Sequence, residues 1–184
     1  MICLGASKIV MSSASELGPI DPQASIKEEG GIKTFSLHNI VNSYEKLFDS
    51  AVAADGRMEP FLQQLSRYDT RDIEEFRSQI KLSEDIAIRA LQSGMLKGKP
   101  KKEIAQKIKT FIDPKETIDH GRAIYIEEAK KTGLKIEHEE LRSKKWTKLY
   151  ELYLRVDNFV SRSHVKCVEN KDNSFALALQ QMLS

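Results

Sequence analysis

Cysteine is scarce: the 184 residues hold two, Cys3 and Cys167. Thiols so far apart in sequence cannot build the disulfide framework of a small secreted domain, and they suit a reducing, cytoplasmic compartment. Long apolar runs are absent too. No stretch approaches the roughly 20 apolar residues that a membrane-crossing helix needs. Neither sign of charge dominates, with 29 Lys and Arg against 27 Asp and Glu, so net charge makes no demand for nucleic acid. Aromatic residues are 7% of the chain, and none interleaves the densest basic run, Lys97-Gly-Lys-Pro-Lys-Lys102, where stacking on bases would need them. Metal-ligand spacing is missing: His138-Glu139-Glu140 lacks the second histidine of a zinc helix, and Cys3, Cys167, His38 and His164 are unrelated in spacing. No glycine-rich nucleotide loop and no internal repeat occur, so no cofactor is expected.

What is present is a globular composition, 40% hydrophobic and 30% charged, of a length that fits one domain with a decorated second element. Residues 1–6 read as a fragment of helix, and Lys8–Met11 as a short strand; Lys8 interrupts the opening apolar stretch, which argues against a signal peptide. A loop follows, with Gly18-Pro19 and Asp21-Pro22 as turn signals, and Gly30-Gly31 marks a second turn or a flexible loop. Apolar residues from His38 to Ala51 recur at helical spacing, ended by Asp55-Gly56. Met58, Phe61, Leu62 and Leu65 suggest a shorter helix. Asp69-Thr70 predicts the N-cap of a long one that stops near Gly94 or Gly98. Pro100 opens the next helix, with Ile104, Ile108 and Phe111 as its buried face. Glu127–Gly133 predicts a short helix with a glycine stop, Leu134–Ile136 a brief strand, and about Glu139–Ser161 an amphipathic helix striped by Leu141, Leu149, Leu152, Val156 and Phe159. Phe175–Met182 predicts a weak terminal helix. Composition and periodicity alone give a mostly helical globule and no activity.

Three stretches add to this. Ile2-Cys-Leu-Gly-Ala-Ser-Lys-Ile-Val-Met11 with Glu16-Leu-Gly-Pro-Ile-Asp-Pro-Gln23 resembles the segment just after the nucleophile in the serine dehydrogenase proteinase family. Those are Clp-class peptidases, related to signal peptide peptidase A and the Clp proteolytic subunit. Leu82-Ser-Glu-Asp-Ile-Ala87 with Gly94-Met-Leu96 is similar to that family's long helix. His120-Gly-Arg-Ala-Ile-Tyr-Ile-Glu-Glu-Ala-Lys-Lys-Thr-Gly-Leu134 matches its His, Glu-Ala and Gly-Leu spacing without a gap. The likeness covers roughly residues 2–136, with a fainter echo in Leu149–Tyr153.

The resemblance implies an α/β chain: part of a crotonase-like fold over 1–137, predominantly helical with short strands, and a C-terminal helical extension over 138–184. It implies a serine peptidase acting on a peptide or protein, with the nucleophile and its oxyanion loop upstream of Met1, and a homo-oligomer. Any membrane association would come through residues preceding Met1. Gly18, Pro19 and Ile20 would line the substrate side. Asp21 and His120 are the candidate catalytic pair: an imidazole acting as base with a carboxylate fixing its tautomer. Simpler roles stand beside these, Asp21 capping its own turn and His120 as an exposed loop residue. Ser7, Ser12, Ser13 and Ser15 lack the tight glycine turn that exposes a nucleophile and read as solvated loop serines.

Two rivals have other bases. The amphipathic helices could serve a non-catalytic binding or assembly module, and the 97–109 lysines could contact phosphates. If the opening segment lacks its usual covering strands, Ile2, Leu4, Ile9 and Val10 face an unfilled side. The isolated chain is then expected to oligomerise or aggregate, or to leave residues 1–11 detached.

Overall fold

The structure is a computed structural model that describes residues 2–28, 31–112, 122–169 and 171–178. It is a mixed α/β arrangement in which helices dominate and the described strands pair two by two. The chain divides into two compact units, one of Met1–Ile9 with Ser15–Glu137, the other of Val10–Ala14 with His138–Ser184.

The first unit opens with a 3-10 turn, Ile2–Gly5, leading into strand β1, Ile9–Met11. These residues are not detached. Leu4 and Ile9 are buried, whereas Ile2 is exposed, so the expectation of an uncovered apolar opening holds for Ile2 alone. The physical reason is the C-terminal end of helix α3, Thr70–Ser93, which lies against the 3-10 turn. Gly94 makes that approach feasible. A Cβ there would stand 3.1 Å from the Ala6 carbonyl oxygen, 3.2 Å from that of Gly5 and 3.3 Å from that of Ala90. Asp69 caps α3 by accepting from the Arg71 N–H at 2.8 Å, as its sequence position predicts.

Residues 23–36, of which the sequence marks only Gly30-Gly31, form an antiparallel hairpin of β3, Gln23–Glu28, and β4, Gly31–Ser36. Ser25 and Thr34 face each other across it and share a hydroxyl hydrogen bond of 3.1 Å. The sequence signal is weak because the apolar residues of β4, Ile32 and Phe35, do not alternate with its polar ones, and every position but Ser36 is exposed. Helix α1, Leu37–Ala53, follows at once and packs on α3. It ends where Asp55 and Gly56 both take positive φ, 40° and 87°. Helix α2, Glu59–Leu65, forms as expected but buries nothing. Ile104, Ile108 and Phe111 are buried as anticipated, but on two short helices rather than one: α4, Lys101–Lys107, closes at Ile108, and α5, Lys109–Ile112, follows it. Strand β2, Glu16–Leu17, pairs antiparallel with β5, Ile124–Tyr125, and β5 runs directly into α6, Ile126–Lys131. Thr132 closes α6, and Gly133 turns the chain out at φ 75°.

The brief strand after Gly133 falls two residues later than its sequence suggests. It is β6, Ile136–His138, paired with β1. The Ile9 N–H donates to the Lys135 carbonyl and the Glu139 N–H to the Met11 carbonyl, both at 2.9 Å. These bonds climb the two strands in the same sense, so the pair is parallel.

In the second unit the long helix, α7, runs over Lys144–Ser163 and starts later than Glu139. Ser143 decides the start, because its Oγ accepts from the Trp146 N–H at 2.9 Å and its carbonyl from the Thr147 N–H at 3.0 Å. The terminal helix expected at Phe175–Met182 is not found over its described part. Ser174–Ala178 is strand β8, antiparallel to β7, His164–Glu169. Pairing of Phe175 with Val168 and Ala176 with Cys167 supplies the main-chain partners that a short, uncapped apolar helix would lack. Among the described residues no helix is long and apolar enough to cross a membrane.

Candidate active site

The β2–β5 pair brings together two of the three stretches marked in the sequence, 16–23 and 120–134. Leu17 stands opposite Ile124 and Glu16 opposite Tyr125, so the turn after β2 lies beside the entry to α6. Ile20 is buried and donates its N–H to the Phe111 carbonyl at 2.6 Å. The 16–20 segment is therefore fastened on one side to the end of α5 and on the other to the start of α6. Between those two anchors in sequence lies His120, which falls outside the described residues, as does its separation from Asp21.

A cleft of 190 Å³ opens over this turn, lined by Cys3, Leu4, Glu16, Leu17, Gly18, Ile20 and Phe111. It has room for about six waters at liquid density, the scale of one side chain rather than of a large ligand. Gly18 is exposed at its edge, Pro19 is half-buried beside it, and the Ile20 side chain forms part of the wall. The Ile20 N–H is committed to Phe111 and is not free to serve a bound group.

Asp21 has a partner that its sequence context did not reveal. The Ser36 hydroxyl donates to Asp21 Oδ1 at 2.7 Å, while Ser36 Oγ accepts from the Asn39 N–H at 3.4 Å as the N-cap of α1. The Leu37 N–H donates to the Pro22 carbonyl at 2.9 Å. Asp21 thus joins the turn to the first residues of α1, a wider role than capping its own turn. Ser36 is buried, with helix-breaking polarity just before the periodic run, the position an N-cap takes. That signal was available in the sequence.

The other marked serines differ among themselves. Ser7 and Ser13 are exposed and Ser15 is half-buried. Ser12 is fully buried, with Oγ accepting from the Ala14 N–H at 3.2 Å, which corrects its reading as solvated. Its hydroxyl closes an ST-turn after β1. Two ion pairs brace the surroundings: Arg122 with Glu128 at the start of α6, and Lys8 with Glu137 beside the β1–β6 pair.

Elsewhere the chemistry is thinner. A larger cleft, 390 Å³, lies between α1 and the beginning of α3 over Ile40, Ile73 and Phe76. Of its carboxylates, Asp69 is bound to Arg71, whose side chain first and backbone N–H second hold it below the usual carboxylate range. In the lysine run, Lys99 meets Glu103 at 3.1 Å and Lys101 meets Asp85 at 3.4 Å. Among the described residues no three His, Cys, Asp or Glu gather as metal ligands. In comparisons with family models, curated proteins and solved structures, nothing matches this chain.

Proposed function

We propose that this chain is part of a Clp-class serine peptidase, building one wall of the cleft in which a peptide bond is hydrolysed. In this reading the attacking serine lies outside residues 1–184. The observation that supports it most is the β2–β5 pairing, which sets the Gly18–Asp21 turn beside the entry to the helix bearing Glu128 and Ala129. Those are two of the stretches whose residues resemble the family. The mixed α/β arrangement with β1 and β6 parallel is compatible with a crotonase-like core.

Each residue then has a physical task. Gly18 leaves space at the rim for a substrate main chain, and Leu17, Ile20 and Phe111 offer an apolar wall to one side chain. His120 takes the proton of the attacking hydroxyl, and Asp21 holds the imidazole in the tautomer that can accept it. The bond from Ser36 fixes the Asp21 carboxylate in place, and a carboxylate accepts at both oxygens, so the two tasks are compatible.

The test is labelling of the protein, expressed from its own gene, with a fluorophosphonate, followed by mapping of the labelled residue. The reading expects one labelled serine that is none of the serines in 1–184. No labelling, or labelling of a serine within these residues, overturns it.

A second reading, assembly without catalysis, is favoured by a different observation: the wide apolar face that α7 leaves exposed.

A further inference from the structure

The 190 Å³ cleft over the Gly18 turn has one charged group among the described residues that line it, Glu16. Its other walls are mostly apolar: Leu4, Ile20 and Phe111 are buried and Leu17 is half-buried. Glu16 itself is exposed, so its carboxylate belongs to the opening rather than to the floor. Among the described residues its side chain makes no ion pair and no hydrogen bond. The cations that flank the segments forming the cleft are engaged elsewhere. Lys8 is paired with Glu137 and Arg122 with Glu128, and Lys109 has a partner of its own.

The residue directly opposite Glu16 in the β2–β5 pair is Tyr125, which is 53% exposed. Side chains at directly opposed positions share a face, with Cβ atoms about 4.5–5.5 Å apart. Tyr125 likewise makes no side-chain hydrogen bond among the described residues. A carboxylate and an aromatic ring standing together attract the same kind of ligand. The carboxylate draws a cation by its charge, and the ring draws one by its negative face. An anion gains from neither, and a neutral side chain gains from the apolar walls alone.

The walls narrow the choice of cation. A bare metal ion would meet a single carboxylate and apolar surface, too few oxygen ligands to hold it. A cation carried on an alkyl stem uses both parts of the cleft. The stem lies along Leu17, Ile20 and Phe111, and the charged end stays at the wet opening beside Glu16. We propose that this cleft is a specificity site for a lysine or arginine side chain, with Glu16 and Tyr125 selecting its charge. That the side chain belongs to a peptide being cleaved rests on the peptidase reading; the preference of the cleft for an alkyl cation does not.

The experiment titrates the isotope-labelled full chain with blocked tripeptides, acetyl-Ala-X-Ala-amide, in which X is lysine, arginine, norleucine or glutamate. Amide shifts of Leu17, Gly18 and Ile20 report occupancy and yield dissociation constants. The lysine and arginine peptides should bind about 3–30-fold more tightly than the norleucine peptide, the combined scale of an exposed ion pair and a cation–aromatic contact. The glutamate peptide should bind most weakly. Glu16→Gln and Tyr125→Leu should each reduce the lysine advantage by about two- to fivefold. Glu16→Lys should reverse the order and put the glutamate peptide ahead of the lysine peptide. The same spectra verify that each variant is folded. A norleucine peptide that binds as tightly as the lysine peptide overturns the proposal. So does a lysine advantage that Glu16→Gln leaves untouched, or the lack of a saturable shift at residues 17–20 with every peptide. Fluorophosphonate labelling without the cation preference ends this proposal alone, and the preference without labelling ends the peptidase reading alone.

Discussion

Replacing Asp21 tests whether the turn is held by the bond seen to Ser36. The donor and acceptor oxygens are 2.7 Å apart and Ser36 is 6% exposed, so water competes poorly for that hydroxyl. A hydrogen bond to a charged acceptor contributes about 1.5–3 kcal/mol, and Asp21 is only half-buried, which favours the lower half of that range. Ser36 also caps α1, a contribution of about 1 kcal/mol that its 3.4 Å contact with the Asn39 N–H places at the modest end. Asp21→Ala should therefore cost about 2 kcal/mol and Ser36→Ala about 2–3 kcal/mol. The double variant should cost little more than Ser36→Ala alone, leaving a coupling energy of about 1–2 kcal/mol. Asp21→Asn retains an acceptor and should lose less than Asp21→Ala. Urea unfolding followed by circular dichroism reads all four variants, and 2 kcal/mol corresponds to about 4–8 °C in Tm for a chain of this size. Additive single variants, with a coupling below about 0.3 kcal/mol, would refute the bond as the tie between turn and helix.

Gly94→Ala should destabilise by about 1–3 kcal/mol, because the added methyl meets three backbone carbonyl oxygens that cannot rotate away; thermal unfolding checks it. Ile124→Ala, at a fully buried position of β5, should cost about 2–5 kcal/mol in urea and loosen the Glu16–Leu17 pairing in amide exchange. The Asp69 cap is pH-sensitive. Its pKa is lowered in the folded state, so its stabilisation is present above the ordinary carboxylate range and is lost as pH falls through the lowered value. The protection factor of the Arg71 amide should fall over that acid window, and Asp69→Asn should remove that fall.

Much of the helical scaffold was legible in the sequence for local reasons. Asp69, Asp55-Gly56, Pro100 and Gly133 are chain signals whose effect is spent within a turn or two, and each acts where its position indicates. The apolar triplet Ile104, Ile108 and Phe111 was equally plain, since helical spacing and burial coincide there. The hairpin at 23–36 and the strand at 174–178 were not. Both depend on a partner segment, and their residues do not alternate strongly enough to announce it. Of the stripe expected from about Glu139, Leu141 precedes α7, and of the four residues on the helix Leu149, Leu152 and Phe159 are exposed, for periodicity does not say what covers a face. At the site, Gly18 and Ile20 could be marked from their resemblance alone. Ser36 could have been marked as a cap, but its bond to Asp21 joins residues 15 apart and needed the fold.

The proximity of Asp21 and His120 tests the central claim most directly. Nuclear Overhauser contacts from the His120 ring protons, measured in the full chain, report it without altering either residue. The account predicts contacts to Pro19 and Asp21, as expected for an imidazole within direct or one-water hydrogen-bond reach of the carboxylate. Contacts from His120 to other segments, with none to the 18–21 turn, would contradict it.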